Sequence, residues 1–353
     1  MSHMYTPGEI RIRRTIKSIF WSIIILMTAI NLVTSYKEKQ ILIDNGYSRQ
    51  VNVGDYKLNV AIFGNDCGAH RIVGIAGLQH GDFSVHASRL TEILGENQQM
   101  IFIDRVGYGL SDDTFKSITV DRVVEDYRQA LKMAGVSAPY VLLAEHYGGV
   151  YATYWESCYP NEVEAVIFID GTEMHESEAE SRQADNTPYW LDACMSFASR
   201  IGASRVLQTS KYPVYTASYS PEERTMGKGL TASTLDSLAP VVESSKQWDN
   251  IEMTHAAVTR NDIPKLYITS DEQWRHKAPT TSSSGGQDFG DVVRLTVKDP
   301  GDTLTPYLDQ MGNCRLTYLG GIGHLYEYKA PECAQIIQSF LSNLEHYQKV
   351  AVN

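Results

Sequence analysis

Apolar and polar positions alternate along residues 50–345 in blocks that favour buried strands and amphipathic helices in turn. The strand-like blocks are short, apolar and rich in β-branched residues, which is typical of strands covered on both faces of a sheet. The predicted strands are Lys57–Gly64, Arg71–Ala76, Met100–Asp104, Tyr140–Ala144, Ala165–Asp170, Lys265–Thr269 and Arg315–Leu319. Their alternation with helices predicts an α/β fold with a mostly parallel sheet and helices on both faces.

Two helices between these strands have clear sequence signals. Thr119–Ala134 places its apolar residues on one face, and Gly135 is a typical residue for ending a helix. Glu332–Val350 repeats the pattern, with Pro331 at its start. We therefore predict a core formed by residues 50–171 and 262–350.

The alternation breaks between residues 172 and 261, where the pattern contains no convincing core strand. The periodicity of this insertion favours helices over Trp190–Ile201 and Thr231–Val242. Because it follows a strand at the end of the sheet where ligands bind, we predict a helical cap over a pocket. The alternative is a surface elaboration without a gating role. A later stretch, Thr280–Asp291, has the composition of a flexible loop.

The N-terminal region predicts a membrane anchor. Residues 16–36 contain one charge, Lys17, and no further charge occurs before Lys37, a gap close to the ~20 residues that a transmembrane helix needs. Arg11, Arg13 and Arg14 precede this segment, which favours a cytoplasmic N-terminus over residues 1–15 and a domain outside the cell membrane. A cleaved signal peptide is the alternative.

Charge and cysteine content narrow the function classes. The chain has 353 residues and a net charge of −11, which argues against a nucleic-acid partner because phosphate binding needs a basic face. The five cysteines form no C-x-x-C pair, so a zinc ribbon or a thioredoxin-type motif is not expected.

Several motifs occur in a fixed order along the chain. Met100–Asp112 reads M-I-F-I-D-R-V-G-Y-G-L-S-D, Val141–Gly149 reads V-L-L-A-E-H-Y-G-G, and Tyr318–Pro331 contains G-I-G-H. Together they resemble the α/β-hydrolase superfamily, and among its members bacterial membrane-anchored proteins with a helical cap. The resemblance covers residues 50–345. It implies the α/β-hydrolase fold, whereas activity has to be argued from the site itself.

The departure from the family lies at the nucleophile elbow, a sharp turn between a strand and a helix. The family pattern G-x-S-x-G becomes A-E-H-Y-G here, so His146 stands where the resemblance implies a serine. The resemblance further implies that His324 is the base. It places the oxyanion donors at the backbone N–H groups of Leu78 and Tyr147.

The acid that would orient His324 is open. The resemblance favours Asp271, after the strand that follows the cap, with Glu272 as its neighbour. Some family members take the acid from the strand before the cap, which nominates Glu173 or Asp170.

These residues support three functions. The first is a hydrolase-like protein that cleaves an ester or amide of a small apolar substrate, with His146 as nucleophile or as base for a water molecule. The second is a catalytically degenerate binding or sensory protein of the same fold on the cell surface. The third is a metal site formed by His146, His324 and a carboxylate such as Asp271, although their spacing matches no metal motif. We expect no cofactor and no metal. His80 and His86 follow the oxyanion turn, and we expect them at the surface, with a place in the pocket lining as the alternative.

Overall fold

The computed structural model describes residues 6–172, 189–203, 205, 219–270, 304–321, 324–345 and 347. Within these ranges the strands form one eight-stranded sheet with the order β1-β2-β4-β3-β5-β6-β7-β8. Strand β2 pairs antiparallel with β1 and β4, and every other neighbouring pair is parallel. The strands are Gln50–Asn52 (β1), Lys57–Gly64 (β2), Arg71–Ile75 (β3), Gln99–Asp104 (β4), Tyr140–Glu145 (β5), Val163–Ile169 (β6), Lys265–Thr269 (β7) and Cys314–Tyr318 (β8).

Helices cover both faces of this sheet, which confirms the predicted fold class. One apolar cluster includes Val124 and Trp155 on one face, and a second includes Leu90 and Phe340 on the other. The described helices are Pro7–Asp44 (α1), Phe83–His86 (α2), Ser88–Gly95 (α3), Val120–Met133 (α4), Gly148–Cys158 (α5), Tyr189–Arg200 (α6), Pro221–Asp236 (α7), Ala239–Ser245 (α8), Gln247–Ala257 (α9), Leu304–Met311 (α10), Leu325–Tyr328 (α11) and Ala330–Ser342 (α12).

The insertion spans residues 172–261, and the part of it that the structure describes is mostly helical. One helix predicted within it is wrong. Thr231–Val242 spans the end of α7 and the start of α8, with a break between them. Ser237 is extended at the break, and Pro240 lies in the first turn of α8, where its missing N–H costs no intrahelical hydrogen bond. Asp113 accepts hydrogen bonds from the backbone N–H groups of Leu238 and Ala239, which fixes this new helix start. That the insertion acts as a cap stays a prediction.

The predicted transmembrane segment lies inside α1, whose 38 residues make it roughly 57 Å long. Among the described residues this is the one helix long and apolar enough to cross a membrane. Its second half packs on the insertion, where Asn31, Glu38 and Leu42 are buried. The side chain of Arg205 joins both carboxylate oxygens of Glu38 at 2.7 and 2.8 Å. Helix α1 is therefore part of the folded body as well as a candidate anchor.

The five cysteines are free thiols in the structure. Cys333 is buried in the core and Cys314 is partly buried, whereas the other three are exposed. Burial raises the pKa of the Cys333 thiol to about 12. The two interior thiols therefore act as small apolar side chains.

The D-R-x-G-x-G turn after β4 gives a pH-dependent prediction. Burial raises the pKa of Asp104 to about 7, although the N–H of Leu110 and the amide of Asn59 donate to its carboxylate. An aspartate in the unfolded chain titrates near pH 4, so the folded chain retains a proton that the unfolded chain has released. This stabilisation is complete below about pH 4 and is lost as the pH rises to about 7.

We therefore expect the free energy of unfolding of the wild type to fall, relative to that of Asp104→Asn, by at least about 1 kcal/mol as the pH rises from 4 to 7. Unfolding midpoints of both proteins across this range measure the difference. Parallel curves would show that Asp104 is ionised in the folded chain throughout.

Candidate active site

His146 occupies the tip of a strand–turn–helix elbow between β5 and α5. Its φ angle is +44°, a left-handed backbone conformation that few residues other than glycine adopt. The turn is tight because Gly148 passes over strand β3, where an added Cβ would lie 2.2 Å from the carbonyl oxygen of Ile75. Backbone hydrogen bonds from His146 N–H to Ile169 and from Thr172 N–H to His146 hold the tip against β6. His146 therefore lies at the tip of the elbow, as the sequence predicts.

The imidazole of His146 has a defined tautomer. Its Nδ1 lies 3.1 Å from the backbone carbonyl oxygen of Asp170, which can only accept a hydrogen bond. In the neutral ring the proton therefore sits on Nδ1, which leaves the lone pair of Nε2 facing Oε1 of Glu145 at 3.4 Å. The side chain is 42% exposed. The imidazole of His146 is thus within reach of solvent.

Glu145, the residue before the tip, turns into the protein and is 0% exposed. Its Oε2 accepts a 2.7 Å hydrogen bond from the N–H of Gly77, while its Oε1 faces three imidazoles. The distances from Oε1 are 2.9 Å to Nδ1 of His80, 3.4 Å to Nε2 of His146 and 3.6 Å to Nδ1 of His324. One carboxylate oxygen is therefore the centre of a three-histidine cluster.

The carboxylate of Glu145 and the imidazole of His80 stabilise each other's charged form. Burial alone would raise the pKa of Glu145, but the charge of His80, together with that of His146 when its ring is protonated, outweighs burial and holds that pKa well below its usual range. The Glu145 carboxylate in turn raises the pKa of His80 to about 9, against the opposing effect of burial. Near neutral pH the cluster thus contains an ionised carboxylate paired with the imidazolium of His80.

His324 reaches this cluster from the loop before α11, as the sequence predicts for the G-I-G-H motif. Its ring centroid lies 5.7 Å from that of His146, and its Nδ1 lies 2.7 Å from the hydroxyl of Tyr326. The same hydroxyl lies 3.4 Å from Oε1 of Glu145. If Nδ1–H of His324 donates to the hydroxyl and the hydroxyl donates to Glu145, the carboxylate orients His324 through Tyr326.

The two predicted oxyanion donors lie at the ends of adjacent parallel strands. Leu78 follows β3, Tyr147 follows the tip of β5, and these strands pair directly. Their backbone N–H groups therefore belong to neighbouring turns at the same edge of the sheet, and Tyr147 precedes the first turn of α5. Their role as oxyanion donors stays a prediction.

The predicted acids are placed only in part. Asp271, Glu272 and Glu173 lie outside the described residues. Asp170 is described, and its Oδ1 accepts a 2.7 Å hydrogen bond from the N–H of Ser270. The identity of the acid therefore stays a prediction, to which Glu145 is added as a candidate.

Sequence reasoning missed four residues that line the site. His86 was expected at the surface, but its side chain is 8% exposed, and its ring centroid is 5.9 Å from that of His324. His80 is partly exposed and joins the cluster, as do Glu145 and Tyr326. Glu145 could have been found from the sequence, because it is a charged residue at the end of an otherwise apolar strand. A charged side chain that is buried there needs a partner.

Three side chains of the site also have the chemistry of metal ligands, namely His80, Glu145 and His324. Each offers one ligand atom, and these three atoms lie within 4.8 Å of one another. The metal alternative drawn from the sequence combined His146 and His324 with Asp271, which lies outside the described residues.

Sequence comparison places the chain near two proteins, and no protein-family model matches it. It is 29% identical over 132 residues to the uncharacterized protein YbdG of Bacillus subtilis (strain 168). It is 33% identical over 89 residues to the uncharacterized protein C23C11.06c of Schizosaccharomyces pombe (strain 972 / ATCC 24843). The aligned segments cover 37% and 25% of this chain, and 40% and 17% of those two proteins.

Structural comparison finds much longer matches. A putative lipase from Acinetobacter baumannii AYE has a TM-score of 0.57 at 17% identity, covering 89% of this chain and 97% of the lipase. The epoxide hydrolase CorEH has a TM-score of 0.56 at 16% identity, covering 84% and 98%. The haloalkane dehalogenase DbeA from Bradyrhizobium elkani USDA94 has a TM-score of 0.54 at 15% identity, with the same coverage of 84% and 98%. At these identities the shared property is the fold, and the chemistry has to come from the residues of this chain.

Proposed function

Because this chain has the α/β-hydrolase fold, we propose that it is a hydrolase-like protein that cleaves ester or amide bonds of a small apolar substrate. The observation that carries the proposal is the position of His146, which crowns the elbow at φ +44° and faces His324 across 5.7 Å between ring centroids. Nε2 of His146 and Nδ1 of His324 lie 3.4 and 3.6 Å from the same oxygen of Glu145, so both rings face one place in the site.

In this mechanism water replaces the missing serine. Nε2 of His146 takes a proton from the water, and the resulting hydroxide adds to the acyl carbon. The N–H groups of Leu78 and Tyr147 stabilise the oxyanion that forms. The bond to the leaving group then breaks, and the proton taken from the water passes to the departing oxygen or nitrogen, with His324 assisting. The net reaction adds one water across the ester or amide bond.

The carboxylate that orients His324 is Glu145 in this proposal, acting through Tyr326. Its support is the 3.4 Å contact from the Tyr326 hydroxyl to Oε1 and the 2.7 Å contact from that hydroxyl to His324. Asp271 and Glu173 remain the alternatives that the family resemblance implies. The variant Tyr326→Phe separates them, because a carboxylate in direct contact with His324 would not need the hydroxyl.

We place the protein in the cell membrane as a single-pass protein, with the hydrolase-fold domain outside the cytoplasm. Helix α1 has the length and composition of a span. The basic residues Arg11, Arg13 and Arg14 before the apolar stretch support a cytoplasmic N-terminus. Cysteine labelling at the exposed Cys67 with an impermeant reagent on intact cells tests the orientation.

The activity test uses the full chain in detergent with panels of small esters and amides. We expect His146→Ala and His324→Ala each to lower kcat/KM by about 10²–10⁴-fold, the usual contribution of a positioned acid–base group. His255→Ala, a partly exposed histidine on α9, is the matched control and should keep the wild-type rate. Activity that survives both site substitutions would remove the proposed mechanism.

The second candidate function is a degenerate binding or sensory protein. It is favoured by the tip itself, which carries neither hydroxyl nor thiol, so the route through an acyl-enzyme on serine or cysteine is closed. This candidate predicts that every substrate panel is blank while a small apolar ligand raises the unfolding temperature of the chain.

A further inference from the structure

The environment of Glu145 exceeds what a simple ion pair requires. Its single negative charge is matched by one imidazolium, that of His80, at 2.9 Å. Yet the same Oε1 atom also lies within 3.6 Å of nitrogens from His146 and His324. Among the residues around this buried oxygen, His80, Glu145 and His324 each bring one possible ligand atom within 4.8 Å of the others.

We propose that His80, Glu145 and His324 bind one divalent transition-metal ion of the zinc class. Imidazole nitrogens with one carboxylate oxygen are the ligands that zinc uses in catalytic sites with an open fourth position. Bonds of roughly 2.1 Å in a tetrahedral site place ligand atoms about 3.4 Å apart. The three ligand atoms here lie within 4.8 Å of one another. The ion would replace the proton between His80 and Glu145, which are 2.9 Å apart, and that proton would pass to solvent.

The surroundings hold these side chains in place. The hydroxyl of Tyr326 contacts Nδ1 of His324 at 2.7 Å and so holds the ring beside Oε1 of Glu145, 3.6 Å from Nδ1. Gly77 N–H binds Oε2 of Glu145 at 2.7 Å, which leaves Oε1 as the inward ligand atom. Hydrogen bonds of this kind fix ligand orientation in metal sites and typically change metal affinity about 10–100-fold when they are removed.

His146 lies at the open side of this site, because its side chain is the most exposed of the cluster, at 42%. A water in the fourth position would be acidified by the metal, and Nε2 of His146 would take its proton. This role of the ion rests on the proposed hydrolase function, whereas its binding does not. A water activated by the metal would be the nucleophile in place of the serine hydroxyl that the elbow lacks.

Metal binding is measured directly on the untagged full chain in detergent. The protein is stripped with a chelator, dialysed, and titrated with Zn²⁺ or with Co²⁺, whose visible absorption reports tetrahedral nitrogen and oxygen ligation. We expect one ion per chain by elemental analysis. We expect His80→Ala and His324→Ala each to weaken binding at least about tenfold, with Tyr326→Phe in the same direction. His255→Ala, outside the cluster on α9, should bind as the wild type does.

The controls separate this proposal from the proposed function. Because His80→Ala also removes the imidazolium partner of the buried Glu145, its unfolding temperature in chelator is measured first to establish that the variant is folded. A wild type that binds no more ion than the folded His80→Ala variant would overturn the metal site. Hydrolysis that persists in chelator would also overturn the catalytic role of the ion while leaving the hydrolase proposal intact. Stoichiometric binding with blank substrate panels would retain the site and remove the hydrolase.

Discussion

Replacing Glu243 with leucine is expected to lower the free energy of unfolding by about 3–5 kcal/mol, the typical cost of removing one partner of a buried ion pair. Glu243 on α8 is 0% exposed, and its carboxylate lies 2.8 Å from Nε of Arg105, which is 2% exposed. The hydroxyls of Tyr108 and Tyr151 also donate to this carboxylate. The substitution would leave a guanidinium charge in the interior without a counterion.

The effect should extend to the site, because Arg105 connects the insertion to the turn after β3. Its two terminal nitrogens donate to the carbonyl oxygens of Ala76 and Gly77 at 2.6 and 2.7 Å. Gly77 in turn donates its N–H to Glu145. A helix of the insertion is thus linked through two residues to the carboxylate at the centre of the histidine cluster.

Denaturant unfolding of Glu243→Leu, Arg105→Met and the double variant in detergent measures the pair. The double variant should lose less than the sum of the two single variants, since it removes both charges together. Asp249→Leu is the matched control, because Asp249 pairs with Lys246 on the surface of α9 at 56% and 40% exposure. A surface pair of this kind contributes less than about 1 kcal/mol. Equal losses from Glu243→Leu and Asp249→Leu would contradict a buried pair.

The second large effect is expected at the contact between α1 and the insertion. Glu38→Leu should lower the free energy of unfolding by about 2–3 kcal/mol, because it removes two charge-assisted hydrogen bonds from the partly buried guanidinium of Arg205. The same guanidinium donates to Ser35, one turn earlier on the helix, at 3.0 Å. Gly229 on α7 permits the close approach, since an added Cβ there would lie 2.8 Å from Cβ of Glu38.

Lys37→Leu is the control for this contact, because the neighbouring side chain is exposed on the same helix. Thermal unfolding of both variants in the same detergent gives the comparison, and we expect the unfolding temperature of Lys37→Leu to stay near the wild-type value. A domain that starts after residue 44 should be less stable than the full chain for the same reason. Equal unfolding temperatures for Glu38→Leu and Lys37→Leu would mean that α1 is only a tether.

The elements of the fold could largely be predicted from local patterns. Lys57–Gly64 and Lys265–Thr269 are strands with the predicted boundaries, since a buried strand carries its apolar signal within itself. The helix predicted over Thr231–Val242 failed because Pro240 favours a helix start as strongly as it opposes a helix interior. The start is decided by Asp113, which lies far away in the sequence.

The site divides in the same way. The sequence by itself determined the elbow with His146 at its tip, because a turn this tight needs small neighbours and leaves a visible pattern. It also determined that His324 belongs to the site, through the family motif that carries it. Only the tertiary structure decided that Glu145 turns inward and that His80, His324 and Tyr326 surround it. These residues lie up to 181 positions from Glu145. Their convergence depends on how whole strands and helices pack, and local periodicity carries no record of that packing.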